Sequence, residues 1–159
     1  MKYRIISVGK IREKFYADGV NEYIKRLAPH INLELVEGLE EKIDPRAGAK
    51  DIERALQKEG ERILSLIGDK EVLVDLDVQG KLLSSEDLAG YMEQWNLSGL
   101  YRTNVVIGSA YGLAETVKKR ADHIISLSKM TFPHQMAVLI LTEQIYRGVK
   151  ILKGEPYHK

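Results

Sequence analysis

Residues 123–152 read HIISLSKMTFPHQMAVLILTEQIYRGVKIL. HIISLS reads as a strand, and the segment from about His134 to Leu152 reads as a long helix. Between them, SLSKMTFPHQM (126–136) holds three hydroxyl side chains, a proline and a histidine. Such a polar, turn-forming stretch between two buried segments is expected to be buried itself, with a ligand supplying its hydrogen-bond partners. Pro133 falls near the first helical turn, where a missing amide is harmless. The amides exposed there can donate to a ligand, and Leu127, Met130 and Phe132 offer an apolar wall. This combination suits a neutral aromatic ring better than a phosphate. An ordinary strand-to-helix turn is the alternative reading.

The same alternation runs back through the chain. YRIISV (3–8) reads as a strand, followed by a helix in which Phe15, Val20, Tyr23, Ile24 and Leu27 recur at helical spacing. INLELVE (31–37) alternates as a strand, and EGLEEKIDPRAGAK (37–50) is the one candidate for a long mobile loop. A second helix is expected from about Asp51 to Ile67, then the strand VLVDLDV, the helix SSEDLAGYMEQWNL, the strand TNVVIG and a short helix ending near Arg120. Strands alternating with helices predict a largely parallel sheet covered on both faces, an α/β/α fold. With 159 residues and no internal repeat or linker, residues 1–159 are expected to form one domain.

Composition narrows the chemistry. The absence of cysteine excludes disulfides, a thiol nucleophile and a thiolate metal site. No segment offers the roughly 20 apolar residues that span a bilayer, and MKYRIISVGKIREKF lacks a signal-peptide core, so a soluble cytoplasmic protein with no membrane partner is expected. A net charge of +1 does not announce a nucleic-acid binder, yet basic residues gather at Lys10, Arg12 and Lys14, at Lys118–Arg120 and along the C-terminal segment. Each cluster alone is also what a solvated helix face looks like. No histidine pair has metal-ligand spacing, and no metal is expected.

Ligands of open parallel sheets sit beyond the C-terminal ends of the strands. Besides the 127–132 stretch, two such ends stand out. In VLVDLDVQG, Val72, Val74, Leu76 and Val78 share one face, and Asp75, Asp77 and Gln79 the other. In VVIGSAYGL, Gly108 and Gly112 permit a sharp turn and close approach of a ligand to the backbone. GSAYG lacks the lysine of a triphosphate-binding loop.

Together these residues resemble the SPOUT-class methyltransferases that act on a pseudouridine of large-subunit ribosomal RNA. The resemblance rests on Val8-Gly9-Lys10, Glu59-Gly60, LDVQG (76–80) with Lys81, Ile107-Gly108, Tyr111-Gly112-Leu113, LSKMTFPHQM (127–136), Glu143-Gln144, Tyr146-Arg147 and the terminal Tyr157-His158-Lys159. It spans essentially the whole chain. It implies a parallel-sheet SPOUT fold with a C-terminal trefoil knot, S-adenosylmethionine as cofactor, a homodimer, and 23S rRNA within the ribosome as substrate, methylated at pseudouridine N3. Carried over residue by residue, it implies cofactor contacts at Leu76, Gly108, Leu127, Ser128, Lys129, Met130, Thr131 and Phe132. The chain departs from the family pattern at Ser109, where a second glycine is common, so a slightly altered turn is expected there.

Methyl transfer to a uracil-like nitrogen calls for alignment, and for a base or a stabiliser of the developing O2/O4 charge. The family pattern puts His158, Tyr157 and Arg147 near the target base. His134 reads as a residue that fixes its own turn, and His30 and His123 read as structural. Two other functions fit parts of the sequence. An RNA-binding module with a vestigial cofactor pocket shares the basic clusters, and a metal-assisted phosphate-transfer enzyme would use Asp75 with Asp77 but leaves the tail unexplained.

Overall fold

The computed structural model describes residues Met1–Lys159. Five strands alternate with five helices: β1 (Lys2–Ser7), α1 (Lys14–Leu27), β2 (Asn32–Glu37), α2 (Ala49–Ser65), β3 (Glu71–Leu82), α3 (Ser85–Leu97), β4 (Arg102–Ile107), α4 (Glu115–Arg120), β5 (His123–Ser126) and α5 (His134–Leu152). The strands form one parallel sheet in the order β2-β1-β4-β3-β5.

Two-residue alternation explains the layers. Tyr3, Ile5, Val72, Val74, Val105 and Ile107 face one side, where they pack with Val20 and Leu27 of α1, Leu88, Met92 and Trp95 of α3, and Val138, Leu141, Ile145 and Val149 of α5. Ile6, Leu73 and Val106 face the other side, against Ile63 of α2 and Val117 of α4. The central strands are apolar on both faces because helices cover both. Helix α3 starts at a capping box in which Ser84 and Asp87 bond reciprocally.

Three sequence expectations change. The strand expected over 72–78 runs on to Leu82, through Gln79, Gly80 and Lys81. Leu76 pairs with Ile125, and so does Lys81 after a break in register, while Leu82 pairs with Ser126. Residues 77–80 therefore form an irregular segment within β3, and pairing with β5 resumes at Lys81. Phe15, expected on the buried face of α1, is 65% exposed. The polar stretch after β2 is tied down at its start: the Leu39 and Glu40 amides both donate to the Val8 carbonyl, and the Glu41 amide donates to the Glu59 carboxylate.

Candidate active site

The β3–β4 ladder ends at Leu76 and Ile107, Leu76 also pairs with Ile125 near the end of β5, and β4 and β5 each continue into a loop. Between these loops lies a cavity of about 450 Å³. Residues 75–78 of β3 form part of its lining, together with Ile107 to Ala110, Gly112 and Leu113 after β4, and Ser126 to Ser128, Met130 to His134 and Ala137 from β5 into α5. Of the eight residues expected to contact a cofactor, Leu76, Gly108, Leu127, Ser128, Met130, Thr131 and Phe132 line this one cavity. Lys129 is exposed and is not among the lining residues.

The turn after β4 is tight. The Gly112 amide donates to the Ser109 carbonyl at 2.9 Å, and a Cβ on Gly108 would come within 2.9 Å of the Gly112 carbonyl carbon and oxygen. Glycine at 108 is therefore a matter of space. Ser109 has no positive φ, so its Cβ is accommodated in ordinary backbone without strain.

The loop after β5 departs from the expectation that it is buried. Met130 is 74% exposed and Phe132 36% exposed, and both form an open outer wall of the cavity. Its hydroxyls build the turn itself: Ser126 Oγ donates to the Ser128 carbonyl at 2.8 Å, and Ser128 Oγ accepts from the Met130 amide at 3.0 Å. Short polar side chains here replace secondary-structure partners, which is why serine suits these positions. His134, at the first position of α5, places Nε2 3.1 Å from the Lys10 carbonyl, and Gln135 Oε1 accepts from the amides of Arg12 and Glu13. The start of α5 is thus fastened to the β1–α1 connection.

Two polar side chains of the lining have no partner. Asp75 is 1% exposed and both its carboxylate oxygens lack hydrogen bonds, as does the buried Ser109 Oγ. Burial, reinforced by neighbouring Asp77 and opposed by Lys118, pushes the Asp75 pKa up to about 6. Asp77, by contrast, accepts from the Gln79 amide and lies 4.0 Å from Lys118 Nζ. The sequence placed Asp75 on the face opposite Val74, which is correct, but that face is covered by α2 and α4 and so buries the charge. An aspartate in the apolar run VLVDL was the available signal.

Arg147, Tyr157 and His158 meet in a second cluster, outside the lining of the cavity. Gly154, at φ 65°, ends α5, and the tail folds back along its own helix, with the Glu155 amide bonded to the Lys150 carbonyl. The Tyr157 ring packs edge-on against Tyr146 at 4.8 Å, and its hydroxyl donates to Glu143 Oε1 at 3.0 Å. Arg147 donates to the same oxygen at 2.6 Å. His158 lies between Arg147 Nη1 at 3.3 Å on Nδ1 and Glu86 Oε1 at 2.8 Å on Nε2. Arginine can only donate, so Nδ1 accepts and the imidazole hydrogen sits on Nε2, directed at Glu86. Burial, with Tyr23 and the Glu143 carboxylate, raises the Tyr157 pKa, so its hydroxyl remains a donor at neutral pH. Glu143, part of the Glu143-Gln144 motif, lies at i, i+4 spacing to Arg147, whereas the pairing of Glu86 with His158 depends on the fold-back of the tail.

His123 stacks with Tyr91 and Trp95, and His30 Nδ1 lies 2.8 Å from Lys153 Nζ. No group of three or more His, Asp or Glu side chains is arranged to hold a metal ion, and no helix is long and apolar enough to cross a membrane.

A family model described as "Predicted SPOUT methyltransferase" matches residues 1–158. The chain belongs to the SPOUT methyltransferase family. The match covers every strand and helix that builds the cavity. Among curated SPOUT relatives, the chain is 60% identical over 159 residues to "Ribosomal RNA large subunit methyltransferase H" of Syntrophomonas wolfei, covering 100% of both chains. It is 45% identical to the protein of the same name from Desulfitobacterium hafniense, covering 100% of this chain and 99% of that one. The Enterococcus faecalis protein of that name is 42% identical, with both chains fully covered.

Proposed function

We propose that the chain transfers a methyl group from S-adenosylmethionine to N3 of a pseudouridine in 23S rRNA, on the assembled ribosome, as a cytoplasmic homodimer. The observation that carries this reading is the convergence of Leu76, Gly108 and the 127–132 loop on one cavity at the ends of β3, β4 and β5. The substrate class rests on the name its relatives share, and the pseudouridine N3 specificity on the tail and loop motifs. A trefoil knot belongs to the same reading.

The cavity suits the cofactor in size and character. Leu127, Met130 and Phe132 give an apolar wall for a heteroaromatic ring, and the glycine turn at 108 allows the ligand to approach backbone. When bound, S-adenosylmethionine supplies a methyl group on a sulfonium centre. The protein's part is positioning and control of charge. Arg147, held by Glu143, is a fixed cation for the charge that develops on the target ring as N3 loses its proton. Tyr157, kept protonated, donates a hydrogen bond in the same region. His158 holds its Nε2 proton toward Glu86, so it accepts a proton only after Arg147 leaves Nδ1.

Because the Arg147–Tyr157–His158 cluster lies outside the lining of its own cavity, a complete site needs a second copy whose tail cluster faces that cavity. Partly exposed apolar residues of α5, including Met136, Leu139 and Ile140, provide a surface for such a partner. Labelled methyl transfer to ribosomes lacking this modification, with mapping of the modified nucleotide, tests the proposal; sedimentation at low micromolar concentration should give twice 18.0 kDa. Saturable ribosome binding with no methyl transfer would favour the vestigial RNA-binding module instead.

A further inference from the structure

Five buried side-chain polar atoms in the whole chain lack a hydrogen-bond partner, and three of them, Asp75 Oδ1, Asp75 Oδ2 and Ser109 Oγ, belong to residues that line the cavity. An unpaired carboxylate in the interior is costly, and its stability cost points to a task. The other polar side chains of the lining are bonded or, like Thr131, exposed. Asp77 holds the Gln79 amide, Ser126 and Ser128 close their own turn, and His134 reaches Lys10. Asp75 and Ser109 come from neighbouring strand ends, since Leu76 pairs with Ile107 across β3 and β4. The strand face of Asp75 is the one covered by α2 and α4, whereas Leu127, Met130 and Phe132 belong to the connection from β5 to α5, which packs on the other face. Lys118 lies 4.0 Å from Asp77 and makes no such contact with Asp75.

We infer that Asp75, assisted by Ser109, is the receptor for the α-ammonium group of the cofactor's amino-acid end. This rests on the proposed use of S-adenosylmethionine. With the adenine against the apolar wall, the amino-acid end reaches Asp75. Its ammonium is a compact cation with three donors, and Asp75 offers two oxygens with no other donor to satisfy. Ser109 Oγ can donate to the neighbouring carboxylate of the same ligand. The carboxylate oxygens are sealed from solvent when no ligand is present, so binding includes a small rearrangement of the Asp75 side chain or of the Ser109–Gly112 turn above it.

Titration calorimetry on the intact protein with two probes tests this: S-adenosylhomocysteine, which keeps the ammonium but carries no sulfonium charge, and 5′-methylthioadenosine, which lacks the amino-acid end. Asp75→Asn should weaken S-adenosylhomocysteine by about tenfold or more and leave 5′-methylthioadenosine within about twofold. In the unaltered protein, affinity for S-adenosylhomocysteine should fall about tenfold from pH 7.5 to pH 5, as a carboxyl with a pKa of about 6 becomes neutral, while 5′-methylthioadenosine shows no such fall. The pH series needs no variant, so it stands even if Asp75→Asn folds poorly. Equal weakening of both probes, or a flat pH series for S-adenosylhomocysteine, overturns the assignment and leaves the methyltransferase reading intact. Failure of the unaltered protein to bind either probe overturns both.

Discussion

Gly80 lies directly against the backbone of Ile125: a Cβ at position 80 would come within 2.6 Å of the Ile125 carbonyl carbon and 2.7 Å of its nitrogen. Both are main-chain atoms of β5, so no rotamer change can relieve the contact. Gly80→Ala should therefore cost about 3 kcal/mol in urea unfolding. Gly90→Ala, in α3 with nothing within 4 Å, should be neutral or stabilising by about 0.5–1 kcal/mol. Equal stability of the two variants would mean that the contact of Gly80 with Ile125 has more slack than the structure shows.

Gly108→Val should abolish cofactor binding. Its Cβ meets the Gly112 carbonyl at 2.9 Å, which forces the Ser109–Gly112 turn to move and places a branched side chain beside the cavity. The sheet is expected to survive, because the displaced residues lie beyond the end of β4. Loss of S-adenosylhomocysteine binding by calorimetry, with the folded far-ultraviolet dichroism retained, is the expected result.

The tail separates binding from chemistry. Deleting residues 157–159 takes Tyr157 from Glu143 and His158 from Glu86 but none of the cavity lining, so S-adenosylhomocysteine affinity should stay within about twofold. Single-turnover methyl transfer at saturating ribosome should fall by about a hundredfold or more. His158→Ala retaining the parental rate would assign the effect to Tyr157 and the ordering of Arg147 instead of to proton transfer.

Asp75 also predicts a pH-dependent gain in stability. Its folded pKa of about 6 lies above the ordinary 3.8, so in the ligand-free protein the folded state binds the proton more tightly than the unfolded chain does. The residue therefore destabilises the fold progressively as pH rises from about 4 through 6, and the penalty is complete above that window. Asp75→Asn should be more stable than the parent by about 2 kcal/mol at pH 7.5, and this advantage should disappear near pH 4. Thermal or urea unfolding across that range measures it.

The sequence by itself determined the alternation of five strands with five helices and hence the parallel sheet covered on both faces. Apolar residues at two-residue spacing in β1, β3 and β4, and at helical spacing in α2, α3 and α5, are local signals that tertiary contacts had only to accept. The motifs IGSAYGL and LSKMTFPH were legible because each follows a strand, where ligands of parallel sheets gather. Only the tertiary structure decided that Gly80 lies against Ile125, since a contact between segments some 45 residues apart leaves no periodic trace in either. It also decided that Met130 and Phe132 stand open at the cavity wall, and that Tyr157 and His158 turn back to Glu143 and Glu86. Exposure and ion pairing depend on which elements lie opposite in space. Asp75 shows the division most clearly: its strand face follows from alternation, but its lack of any partner follows from the packing of α2 and α4 over that face and the turn of Ser109 beside it.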